Sequence, residues 1–262
     1  MQGLQQADFT EEMMFELNNE TDRRSVLGMS AAGIAAATVS GSALVSGTAG
    51  ASEPGLAPAK PGLSPAQALA KLVDGNRRFV ADQLSEADIS TRRRLMLAKS
   101  QTPFAALVGC ADSRVGPEHL FGAGLGELFI VRTAGNYVDD AGFGSLAYAV
   151  AILGVPLIVV LGHERCGAVD AATKLVTDNA QLPPSLTRMV SPIVPAVLDA
   201  RAGHRGGDLL DHAIHTNVRH VTRGLRQSTD ALLATPLRTG KLMVVGAYYD
   251  LDTGAVKFFD RA

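Results

Sequence analysis

Cys110 and Cys166 are the only two cysteines in a chain of 262 residues. Each ends an apolar run, in "FAALVGCADSRV" and "PLIVVLGHERCGAV", and each has polar, reactive neighbours. His163 stands three residues before Cys166. Two soft thiolates and one imidazole suit Zn²⁺, and three protein ligands leave a fourth position open, the mark of a catalytic ion. Asp112 and Arg114 follow Cys110 directly. An aspartate two residues past a ligand can reach the metal itself, while a nearby guanidinium competes for that carboxylate through bidentate hydrogen bonds. Other uses of these side chains stay open at this level: buried core thiols, a disulfide, or a Cys166 nucleophile activated by His163. The zinc-deaminase signature does not fit. It needs H-x-E and then P-C-x-x-C, and the order here is His163-Glu164-Arg165-Cys166.

Distant residues meet only if the fold brings them together. Apolar runs at 104–110, 127–135 and 156–163 predict strands, each followed by a helical pattern, at 117–121, 142–153 and 166–177. Runs of this kind, with no polar alternation, imply a parallel sheet covered by helices on both faces. Two more runs, 241–250 and 255–260, flank "LDTG", a tight-turn signal, so the fifth strand is expected to return antiparallel at the edge. Ser64 before Pro65 predicts a helix over 65–82, and a second is expected over 91–99, together an N-terminal helical arm. Residues 185–200 and 207–233 also have helical patterns. The fold class is therefore α/β. Cys110 and His163 fall at the carboxyl ends of strands, the edge where open α/β sheets bind ligands.

At these residues the chain resembles the β-class carbonic anhydrases. Four separated motifs occur in that family's order: "CADSRV", "VRTAGN" (131–136), "GHERCGAV" and "GAYYDLDTGAV". The resemblance spans about residues 64 to 260. It implies zinc on Cys110, His163 and Cys166, and a catalytic pair made of Asp112 and Arg114. It implies the reversible hydration of CO₂ to bicarbonate and a proton. It also implies a homodimer or homotetramer with the active site at a subunit interface, where a second copy supplies Gln101 from "SQTPF". Some members bind bicarbonate at a second site through a Trp three residues before the first cysteine. Here that position is Leu107, and the chain has no Trp, so the open-site form is expected, with Asp112 turned toward Arg114. Two alternatives share the fold: a zinc-thiolate protein that binds or senses redox state without catalysis, and a hydrolase of a CO₂-like small molecule. The intact Asp112/Arg114 pair speaks against a passive site.

Composition sets the remaining bounds. Hydrophobic residues make up 47% and charged residues 19%, and the formal net charge is −2, so a globular domain is expected and a nucleic-acid-binding surface is not. The triplet Arg92, Arg93 and Arg94 is too short to change that. Residues 1–51 hold six acidic and two basic residues, which leaves 22 basic against 20 acidic in the remainder. Within 1–51, Arg23-Arg24 precedes a weakly apolar Ala/Gly/Ser run and then Ala49-Gly50-Ala51, which resembles a twin-arginine export signal. The protein is thus expected to be exported to the periplasm, the cell envelope or the medium. Without a functional signal it would stay cytoplasmic. No stable membrane span is expected in the mature chain. Residues 52–63 are read as a Pro/Gly linker and 64–262 as the α/β domain. "FGAGLGE" (121–127) lacks the spacing of a phosphate loop and is expected to be a plain loop. His212, His215 and His220 lie on a predicted helix and are expected to be structural or solvated.

Overall fold

The computed structural model describes residues 62–83 and 87–261. The export signal expected over 1–51, and the linker except for its last two residues, lie outside the described residues.

The elements run α1 (Pro65–Val80), α2 (Thr91–Leu97), β1 (Ala105–Gly109), α3 (Pro117–Leu120), β2 (Leu128–Arg132), α4 (Asp140–Ala151) and β3 (Leu157–His163). There follow α5 (Gly167–Thr177), α6 (Pro184–Val190), a 3₁₀ turn (Ser191–Ile193), α7 (Val194–Gly203), α8 (Leu209–Arg226), α9 (Ala231–Arg238), β4 (Met243–Tyr249) and β5 (Val256–Asp260). The sheet order is β2-β1-β3-β4-β5. The β1–β2, β1–β3 and β3–β4 pairs are parallel, and β4–β5 is antiparallel. The expected mixed sheet with an antiparallel edge is the one found.

Strands β1 and β3 are buried along their whole length, because successive side chains enter different cores. Ala106, Val108, Ile158 and Val160 pack with Leu146 and Val150 of α4, Val218 of α8 and Leu233 of α9. Ala105, Leu107, Leu157, Val159 and Leu161 pack with Ala68 and Leu72 of α1 and Leu120 of α3. The helix start at Ser64 is a capping box: Gln67 N–H donates to Ser64 Oγ at 3.3 Å and Ser64 N–H to Gln67 Oε1 at 2.9 Å. The β4–β5 turn is tied by Asp250 Oδ1, which accepts from the N–H groups of Asp252 at 3.0 Å and Thr253 at 2.8 Å.

Two helical expectations are corrected. Residues 207–233 form two helices, α8 and α9. Asp230 Oδ1 accepts from Leu232 N–H at 2.8 Å and starts a new N-terminus. Residues 185–200 are interrupted at Pro192, whose missing N–H leaves a 3₁₀ turn between α6 and α7.

Candidate metal centre

Because β1 and β3 are parallel neighbours, with Gly109 paired to Leu161, their carboxyl ends emerge side by side. Cys110 is the first residue past β1, and His163 is the last of β3. The chain then turns through Arg165, whose φ is +52°, and Cys166 takes the N-cap position of α5. All three side chains are buried.

Their donor atoms lie within 4.8 Å of one another. Both cysteines are free, with 3.9 Å between their sulfurs, which removes the disulfide alternative. Two thiolates bound tetrahedrally at the usual Zn–S length of about 2.3 Å would sit about 3.8 Å apart, so the spacing fits zinc. The histidine fits as well. His163 Nδ1 is 2.9 Å from Glu164 O, so Nδ1 carries the proton and donates it to that carbonyl, leaving a lone pair on Nε2. Nε2 is buried and has no hydrogen-bond partner. A buried acceptor left unpaired costs about 1–3 kcal/mol, and a cation between this nitrogen and the two sulfurs removes that cost.

The two thiols influence each other. Cys110 is held well below the usual thiol range, chiefly by its contact with Cys166 and, against the opposing effect of burial, by His163 and Gly135 N–H. Cys166 is pushed up by Cys110 and by burial, while the N–H groups of Val169 and Ala168 at the start of α5 act in the opposite sense. One proton shared between two close sulfurs explains both directions.

Asp112 lies beside this trio. Its Oδ1 accepts from Arg114 N–H at 2.9 Å and from Arg114 Nε at 3.0 Å, and its Oδ2 accepts from Arg114 Nη2 at 2.8 Å. The guanidinium lowers the carboxyl pKa to about 2. Asp112 Oδ2 stands 3.8 Å from His163 Nε2. Of its two expected destinations, the carboxylate is therefore turned toward Arg114, next to the trio.

Further residues shape the site. Arg132 donates from Nε to Cys110 O at 2.8 Å and from Nη2 to Asp112 O at 2.7 Å, bracing the loop that carries both side chains. Gly135 N–H donates to Cys110 Sγ at 3.3 Å. A side chain at Gly135, where φ is +80°, would run into Ile193 and Ala168, so glycine is needed there. Arg165 is held by both carboxylate oxygens of Asp252, at 3.0 and 2.5 Å. Glu164 Oε2 accepts from Leu251 N–H at 3.1 Å. The β4–β5 turn thus anchors the segment between His163 and Cys166. Arg132, Gly135 and Asp252 all fall within the motifs quoted above, but their roles were not read from them.

The other expected residues lie elsewhere. Gln101 is exposed on the segment leading to β1. The helical histidines do not converge. His215 stacks on Tyr248 with 4.3 Å between ring centroids, His220 Nε2 meets Asp199 Oδ2 at 2.8 Å, and His212 packs edge-on against His204. The "FGAGLGE" segment is a loop between α3 and β2, as expected.

A family model described as carbonic anhydrase matches residues 105–256. Carbonic anhydrase 2 of Mycobacterium tuberculosis is 42% identical over 204 residues, covering 77% of this chain and 96% of the relative. The carbonic anhydrase of Mycolicibacterium smegmatis is 40% identical over 200 residues, covering 75% of this chain and 94% of that one. Among solved structures, the β-carbonic anhydrase of Coccomyxa, in complex with acetazolamide, aligns with a TM-score of 0.57 at 27% identity, covering 73% of this chain and 86% of that one.

Proposed function

This chain belongs to the β-class carbonic anhydrase family, and from that premise we propose that it catalyses the zinc-dependent, reversible hydration of CO₂ to bicarbonate and a proton. The observation that carries the proposal is the buried convergence of Cys110, His163 and Cys166 around an unpartnered imidazole nitrogen. Bound zinc would supply Lewis acidity, lowering the pKa of a coordinated water to roughly 7, a value known for zinc enzymes in general, a three-histidine carbonic anhydrase among them.

The residues of this chain divide the remaining work. Cys110, Cys166 and His163 Nε2 hold the ion. The proton on His163 Nδ1 stays committed to Glu164 O, so the ring cannot turn away. Asp112 remains ionised, held by Arg114, and offers Oδ2 as a hydrogen-bond acceptor to the attacking water. Accepting one water proton in that bond aims the water's lone pair at the carbon of CO₂. The proton leaves to solvent buffer with the product.

The proposal includes assembly as a homodimer or homotetramer, with Gln101 of a second copy beside the substrate, and export through the Arg23-Arg24 segment. A mature N-terminus that still held Arg23 would refute the export. The central test is stopped-flow CO₂ hydration by the full chain. Zinc-loaded protein should be active and chelated protein inactive, and Asp112→Ala or Cys166→Ser should lower turnover by about 100-fold or more. Undiminished turnover in either variant would refute the role given to that residue.

A further inference from the structure

Resting on the assignment of Cys110, His163 and Cys166 as zinc ligands, we infer that Asn217 is a positioning residue for Cys110, acting through the main chain of Gly135. Asn217 lies in the middle of α8, is 2% exposed, and donates from Nδ2 to Gly135 O at 2.8 Å. The N–H of the same glycine donates to Cys110 Sγ at 3.3 Å. Two hydrogen bonds therefore link a core helix to one ligand sulfur.

The conformation of the loop explains why it needs this tie. Gly135 and Asn136 both have left-handed backbone, with φ of +80° and +47°. Asparagine tolerates that conformation better than other side chains do, but Asn136 leaves its own Nδ2 buried without a partner, which is a cost. Such local costs persist only where the surroundings over-determine the conformation. Gly135 O belongs to the peptide that joins the two left-handed residues, and that is the oxygen Asn217 holds. Ile193 and Ala168 fill the space that a side chain at Gly135 would need. With Asn217 absent, the pair is free to relax, and the Gly135 N–H leaves the sulfur.

That N–H matters for the chemistry of an ion held here. A hydrogen bond from a fixed main-chain N–H holds the thiolate where the other two ligands need it, and its loss leaves the sulfur free to move. Outer partners of metal ligands typically influence affinity by about 10–100-fold.

Asn217→Leu removes the donor while keeping the number and branching of the side-chain heavy atoms. Thr222→Val is its control: Thr222 is buried on the same helix, and its hydroxyl donates to Val218 O at 2.7 Å, away from Gly135. Zinc affinity is measured in the full chain by chelator competition, and the thiolate-to-cobalt charge-transfer absorption is recorded on the Co²⁺-loaded protein. Asn217→Leu is expected to weaken zinc about 10-fold or more and to shift the cobalt band, with Thr222→Val changing neither. If Asn217→Leu matches the parent in both, or if both variants change alike, the inference is overturned. Should Asn217→Leu fail to fold, the smaller and polar Asn217→Ser is measured in the same way and judged by the same outcomes. A parent protein that bound neither ion would overturn the ligand assignment itself. Binding by the parent with no change in the variant overturns only the role of Asn217.

Discussion

Arg114 grips Asp112 through its main-chain N–H, Nε and Nη2, and that grip decides how pH acts on the site. The folded carboxyl titrates at about 2, below the roughly 3.9 of a free aspartate. A depressed folded value means that the stabilising contribution is fully present above about pH 4 and is lost as pH falls toward 2. The carboxyl ¹³C resonance of Asp112 should accordingly stay flat from pH 7 to 4, and Arg114→Ala should bring a titration step into that window. A step near pH 4 in the unaltered protein would contradict the clamp. The sequence shows both residues and their spacing, but not whether arginine or metal takes the carboxylate. That outcome depends on side-chain geometry in three dimensions. Asn217 was not legible at all, since a lone asparagine within a helical pattern carries no mark of the glycine carbonyl it meets.

The strands were legible because β1 and β3 are buried on both faces and so appear as unbroken apolar runs that stop at reactive residues. Helix ends were less so. Apolar spacing continues from Leu225 through Leu232 and Leu233, which hides the break between α8 and α9. The caps Asp208 and Asp230, which accept from Leu210 and Leu232 N–H, mark the true starts. The packing of α8 on the sheet was also hidden, although the glycines that permit it are visible. A methyl group added at Gly162 on β3 would come within 2.5 Å of Val218 Cγ2, and one at Gly246 on β4 within 2.9 Å of Val218 Cγ1. Val218 thus seats in a hollow made by two neighbouring strands. Gly162→Ala should lift α8 and cost about 1–3 kcal/mol in denaturant unfolding. An unfolding midpoint equal to the parent's would show that the helix has room to spare.

In the molecule as a whole, apolar surface lies where one copy leaves it uncovered. Leu128, Phe129, Ile130 and Val131 on the open edge strand β2 are only half-buried, and Val73, Val80, Ile89, Leu95 and Met96 are exposed along and between α1 and α2. Unpaired strand edges and apolar patches of this kind invite covering, which supports the proposed assembly. Sedimentation should show a dimer or tetramer, and Gln101→Ala should lower CO₂ hydration at unchanged zinc content. A fully active monomer would rule out a contribution from a second copy. Among the described residues, no helix is long and apolar enough to cross a membrane.

His163 and Cys166 have no solvent-exposed surface, and Cys110 has almost none. Donors buried this deeply separate only as the polypeptide around them loosens, so, with the fourth position left to water, loss of a bound zinc is expected to follow local breathing of the fold. Chelator in large excess should then strip the protein at one first-order rate, the same at any chelator concentration. A rate that climbed in proportion to chelator would mean that the ion is reached directly from outside.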